Sequence, residues 1–109
     1  MKDDTLKMRA LYIRHRALPG KREEVLRVWE TYARDYVDQA EGQVFYVYGF
    51  DEADPDAVIA YQLFTDDAGT EGFTRQPWFE AYETETAALL AGPSEFRAIA
   101  PQWIKQPAN

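Results

Sequence analysis

Between Ala57 and Pro93 the chain reads AVIAYQLFTDDAGTEGFTRQPWFEAYETETAALLAGP, and the opening of this stretch constrains the fold most. Val58, Ile59, Tyr61, Leu63 and Phe64 form a near-continuous apolar run of strand length. A strand that is apolar at successive positions is covered on both faces, because neighbouring side chains point to opposite sides. Thr65, Asp66 and Asp67 end the run, and Asp66 or Asp67 can cap a short helical segment behind it. Gln76-Pro77 marks a fresh helix start, with Pro77 at the first helical position, where its missing N–H had no partner to lose. Gly92-Pro93 then stops that helix.

The remaining segments fit around this one. Lys7 to Ala17 alternates, with Leu11, Ile13 and His15 on one side and Ala10 and Tyr12 on the other, and reads as the first strand. Leu18-Pro19-Gly20-Lys21 is a turn into a helix running to Ala40, whose apolar face carries Val25, Leu26, Trp29, Tyr32, Ala33, Tyr36 and Val37. Glu41-Gly42 ends it. Gln43 to Phe50 is a second strand with two apolar faces, Val44, Tyr46 and Tyr48 against Phe45 and Val47. The polar DEADPD segment, Asp51 to Asp56, reads as a hairpin turn and not as a calcium loop, because the spacing of its carboxylates differs from that of an EF-hand. Glu95 to Ile104 reads as a last strand, with Pro101 marking an edge or a bulge. The order β-α-β-β-α-β predicts an α+β, ferredoxin-like antiparallel sheet in one domain spanning 1–109, with loose tails at 1–6 and 105–109. Helices cover one face of such a sheet. The apolar residues on the other face call for a second copy packed sheet to sheet, so a homodimer is expected.

Composition narrows the function. A chain of 109 residues with 12 basic and 19 acidic side chains carries a net charge of −7, which opposes binding to nucleic acid or to anionic membranes. No apolar run approaches the roughly 20 residues of a membrane span, and MKDDTLK lacks a signal-peptide core. The absence of cysteine removes disulfides and thiolate metal sites and fits a cytoplasmic location. One histidine, no GxSxG, no HExxH, no phosphate loop and no dinucleotide fingerprint leave no nucleophilic triad or zinc hydrolase; no flavin, haem or metal is expected. Aromatic residues reach 15%, and many fall on segments expected to be buried. That points to a cavity or an interface lined with rings.

A strand ending in an aromatic, an acidic turn, a short helix, a proline followed by aromatics and then LLAGP resembles the antibiotic biosynthesis monooxygenase superfamily. LPGKREEVLRVW and EGQVFYVY extend the resemblance over nearly the whole chain. It implies a dimeric α+β barrel and, among the activities of relatives, cofactor-free oxidation of quinols and anthrones, haem degradation or processing of a phosphorylated signal. It also implies a pocket between sheet and helices. Ala60, Gln62 and Phe64 would share its floor with Leu11, Ile13 and His15, and Trp29, Tyr32, Phe73, Trp78 and Tyr82 would close it from the helices. Many relatives carry Glu where Gln62 stands, Trp at Phe64 and His at Phe73. The haem-degrading relatives' strand-1 Asn is Ile13 here and their haem-ligand His is Phe73, which argues against haem degradation.

The catalytic candidates are therefore His15 and Gln62. His15 is either a strand-end histidine bonded to solvent or a backbone carbonyl, or a general base at the pocket mouth. Gln62 either orients a substrate oxygen or satisfies buried backbone. Ile13, Trp29, Tyr32, Phe64, Phe73, Trp78 and Tyr82 are the substrate-binding candidates. Arg75 reads as a solvated connector, and Arg14 and Arg16 as paired charges at the barrel interface. A cofactor-independent monooxygenase of a phenol or quinol is the leading expectation. A non-catalytic small-molecule-binding module and an isomerase of a small metabolite are the alternatives.

Overall fold

The computed structural model describes residues 7–66 and 71–105. Strand β1 spans Arg9–Arg16, helix α1 Arg22–Tyr32, helix α2 Arg34–Gln39, β2 Gln43–Phe50, β3 Ala57–Phe64, helix α3 Phe79–Ala87 and β4 Glu95–Ile99. A 3-10 turn, Phe73–Arg75, lies between β3 and α3. The strands form one sheet in the order β2-β3-β1-β4 with every neighbouring pair antiparallel, the ferredoxin-like arrangement the element order predicts. As its two-sided pattern requires, β3 is the most buried strand: Ala57, Val58, Ala60, Gln62, Leu63 and Phe64 are all buried. The core gathers where the helices meet the sheet, with Ala17, Val25 and Val58 packed against Tyr48, Phe50, Leu89 and Leu90.

Several boundaries differ from the sequence reading. The helix expected to run to Ala40 bends at Ala33, whose φ of −103° departs from helical values. Ala33 is fully buried, and the bend turns Tyr36 toward Phe73 and Trp78. Pro77 is not the first helical residue. It sits inside a turn closed by the Phe79 N–H on the Gln76 carbonyl, so α3 starts two residues later. The same helix ends at Ala87, ahead of Gly92-Pro93, because Leu89 and Leu90 are drawn into the core. Leu90 bridges Ala17, and the Ala91 N–H bonds the Arg16 carbonyl at 2.7 Å. Strand β4 stops at Ile99, short of Ile104, since Pro101 has no N–H to continue the ladder and restricts the residue before it. Asp67, one of the two expected caps, lies outside the described residues, as do 1–6 and 106–109.

The acidic β2–β3 turn has a structural use. The Arg22 guanidinium donates to the carbonyls of Asp51 and Asp54 at 3.0 and 2.9 Å and lies 4.1 Å above the Phe50 ring. Arg14 and Arg16 reach Asp54 at 2.9 and 3.5 Å, so they pair with this turn inside one chain. The backbone N–H of Asp56 and these two arginines hold the Asp54 carboxyl below its ordinary range. On the other side of the hairpin, Asp56 accepts the Gly20 N–H at 3.1 Å, and Gly20 has a φ of +79°, a conformation glycine adopts without steric strain.

Candidate active site

A cavity of about 550 Å³ opens between the helices and one face of the sheet. That size suits a drug-sized organic molecule. Alternation places the floor: Leu11, Ile13 and His15 of β1, Ala60, Gln62 and Phe64 of β3, and Tyr46 and Tyr48 of β2 all point into it. Phe73, Phe79 and Tyr82 line it from the helical side, and Ser94 and Phe96 from the start of β4. Six expected residues, Ile13, His15, Gln62, Phe64, Phe73 and Tyr82, thus meet in one wall.

The three other candidates stand outside that wall. Trp29 stacks on Tyr48 at 4.5 Å, and its indole N–H donates to the Tyr46 hydroxyl at 3.1 Å, so it buttresses two cavity tyrosines from behind. Tyr32 is half-buried and its hydroxyl donates to the Glu85 carboxylate; that hydrogen bond, followed by burial and the negative charge of Glu85, raises the phenol's pKa. Trp78 joins a cluster of edge-on rings with Tyr36, Phe73 and Tyr82. Helical periodicity identifies all three as apolar-face residues but does not say which meet a cavity and which meet other rings. Sequence reasoning passed over Tyr46, Tyr48, Phe79, Ser94 and Phe96. Tyr46 and Tyr48 carry the alternation signal that identified Gln62 and Phe64, whereas Ser94 has no signal apart from strand register.

The polar groups are few. His15 Nδ1 lies 2.5 Å from the Ser94 hydroxyl, and the ring meets Phe96 edge-on at 6.3 Å. Burial lowers the imidazole pKa from its ordinary value, which favours the neutral ring. Gln62 is buried and its Oε1 accepts from Gln43 Nε2 at 2.9 Å. That contact depends on a bulge: Gln43 opposes Phe64 and Phe45 opposes Leu63, so Val44 is an extra residue that turns Gln43 to the cavity side. Tyr46 and Tyr48 have strongly raised pKa values, first from burial and then from the nearby Tyr82 phenol. Burial pushes Tyr82 up to about 12, and the Thr86 hydroxyl beside it moderates the shift without meeting the geometry of a full hydrogen bond. The Tyr48 hydroxyl is buried with no hydrogen-bond partner among the described residues. Among the described residues Glu83 contributes the one charged side chain of the lining, and no arginine or lysine lines it. Arg75 lies away from the cavity, exposed and paired with Glu71 at 2.6 Å. No cluster of potential metal ligands occurs among the described residues.

No protein-family model and no curated protein matches the chain. Solved structures do. A candidate antibiotic biosynthesis monooxygenase from Chloroflexus aurantiacus superposes with a TM-score of 0.74 at 21% identity, covering 91% of this chain and 97% of that one. A second candidate of the same kind, from Caulobacter crescentus, gives 0.79 at 14% identity, covering 88% and 91%. A variant of SnoaB, a cofactor-independent oxygenase from Streptomyces nogalater, gives 0.75 at 18% identity, covering 90% and 96%. The chain therefore has the α+β fold of antibiotic biosynthesis monooxygenase-like proteins. At these identities the likeness defines the fold alone. No helix among the described residues is long and apolar enough to cross a membrane.

Proposed function

We propose that the protein is a cofactor-independent monooxygenase that oxidises a flat phenolic or quinol-type molecule with dioxygen, and that it works as a homodimer. The observation that carries the reading is a ring-lined, largely uncharged cavity with one imidazole, His15, in its wall, whose neutral form burial favours. In this chemistry a base removes a proton from an activated C–H or O–H of the substrate, and the resulting anion reduces dioxygen itself. For an anthrone the balance is one CH₂ plus O₂ giving one C=O plus water. The protein has to bind, deprotonate and exclude bulk water. His15 is the base in this scheme, and Gln62 orients a substrate oxygen. Ile13, Phe64, Phe73 and Tyr82 contact the rings, with Trp29, Tyr32 and Trp78 supporting the wall. With Glu83 as the only charged lining residue among those described, the cavity favours neutral over phosphorylated or carboxylated ligands.

The homodimer is supported by the sheet face away from the helices, where Phe45, Val47 and Tyr61 remain 44, 58 and 39% exposed. Apolar side chains gathered on one sheet face suit a second copy of the same face.

Oxygen uptake with an anthrone and a naphthoquinol tests the activity. The expected result is substrate-dependent uptake that falls by roughly 10²–10⁴ in His15→Gln with little change in binding. A second reading, a binding module without catalysis, draws on Phe73 and Gln62, neither of which accepts a proton as the family's His and Glu can. Tight quinol binding without turnover would establish it, and absence of quinol or phenol binding would leave room for an enzyme of a small polar metabolite.

A further inference from the structure

We propose that Ser94 is a positioning residue for His15: its hydroxyl accepts the Nδ1–H, which fixes the ring and leaves Nε2 as the proton acceptor facing the cavity. The inference rests on the proposed role of His15 as base, but its structural half can be tested without any substrate.

The placement follows from the sheet. Strand β1 pairs with β4 through Ile13↔Phe96 and Arg14↔Glu95, so the next antiparallel step sets Ser94 opposite His15. Just beyond, the Leu90 bridge to Ala17 and the Ala91 N–H on the Arg16 carbonyl fasten the incoming chain to the same end of β1. Pro93, with its restricted φ, leads directly into Ser94. The serine is thus held by backbone on both sides, and the 2.5 Å contact is made by a short side chain with one rotatable bond. Phe96 packs edge-on against the imidazole and limits its rotation further.

The direction of the hydrogen bond follows from what each arrangement leaves unpaired. A neutral imidazole carries one N–H and one lone pair, and a serine hydroxyl can donate or accept. Were Ser94 to donate to Nδ1, the proton would sit on Nε2, which has no protein acceptor among the described residues. That N–H would have only cavity water as its partner and would lose it when an apolar ring fills the cavity, and an N–H left without an acceptor is the costlier defect. With Nδ1–H donating to Ser94, the half-buried serine sends its own proton to water, and only a lone pair stays open toward the cavity. That lone pair is what a general base requires.

His15 is the only histidine in the chain, so a protein labelled with ¹⁵N-histidine gives one unambiguous pair of ring-nitrogen signals. At neutral pH the unmodified protein is expected to show a protonated Nδ1 and an unprotonated Nε2. Ser94→Ala should lose that preference and Ser94→Thr, which keeps the hydroxyl, should retain it. In quinol-dependent oxygen uptake, Ser94→Ala should lower kcat roughly 10–100-fold with KM little changed, a fraction of what the base itself contributes, and Ser94→Thr should recover most of it. A protonated Nε2 in the unmodified protein, or identical ring signals in Ser94→Ala, overturns the proposal, as does a kcat unaffected by Ser94→Ala. The expected tautomer in a protein that turns over no quinol overturns the oxidation reading and upholds Ser94 as the residue that positions His15.

Discussion

Two neighbouring phenols of β2 should respond to the same substitution with opposite signs. Tyr46 accepts the Trp29 indole N–H at 3.1 Å, whereas the Tyr48 hydroxyl is buried with no partner among the described residues. Tyr46→Phe removes an acceptor and strands the half-buried Trp29 donor. A lost hydrogen bond of this kind contributes about 1 kcal/mol and the orphaned N–H adds to it, so destabilisation of about 1–2 kcal/mol is expected. Tyr48→Phe deletes a hydroxyl that is desolvated without return, and retains the ring stacked on Trp29 at 4.5 Å. It should stabilise the fold by about 1 kcal/mol. For a domain of this size about 1 kcal/mol moves Tm by roughly 4 °C, which separates the two variants by roughly 8–12 °C. Thermal and urea unfolding followed by circular dichroism, at one protein concentration so that association does not shift the midpoint, measure both. If Tyr48→Phe loses 1 kcal/mol or more, or if both variants move together, the accounting of buried hydroxyls is refuted.

The raised phenol pKa values of Tyr46, Tyr48 and Tyr82 predict an alkaline limit. Above pH 10 unfolded tyrosines ionise while these three keep their protons, so stability present below pH 10 declines as pH rises toward 12; ultraviolet titration should show tyrosines that ionise only on unfolding. Gly20→Ala should destabilise by about 1–2 kcal/mol in urea melts, from the left-handed backbone alone, since no atom stands within 4 Å of an added Cβ. Val47→Glu on the open sheet face should give a monomer in sedimentation velocity with unchanged helical circular dichroism, and a monomeric unmodified protein would remove the dimer from the proposed function.

The floor of the cavity was readable because strand alternation is a strict period of two. Once Gln62 and Phe64 are placed on one side, Leu11, Ile13 and His15 follow by pairing. The helical wall was less readable, because an amphipathic stripe says that Trp29, Tyr32 and Trp78 face inward but not which neighbour they meet. Helix ends failed for a related reason. Local signals at Pro77 and Gly92 are weak beside the burial of Leu89 and Leu90, which ends α3 early. Ser94 could not be found locally at all, since its role exists only through the register of β4 on β1.

The extra residue at Val44 has a consequence for comparing this chain with others. Alternation in a strand works like parity, and parity slips once in β2, so that odd-numbered Gln43 and even-numbered Tyr46 serve the same side. At identities of 14–21% a gap in this strand is easily misplaced by one position. An alignment without the slip would transfer Gln43 to the opposite face and detach it from Gln62. Superposed backbones, and not matched letters, are therefore the sound basis for deciding which residue of a distant counterpart corresponds to Gln43.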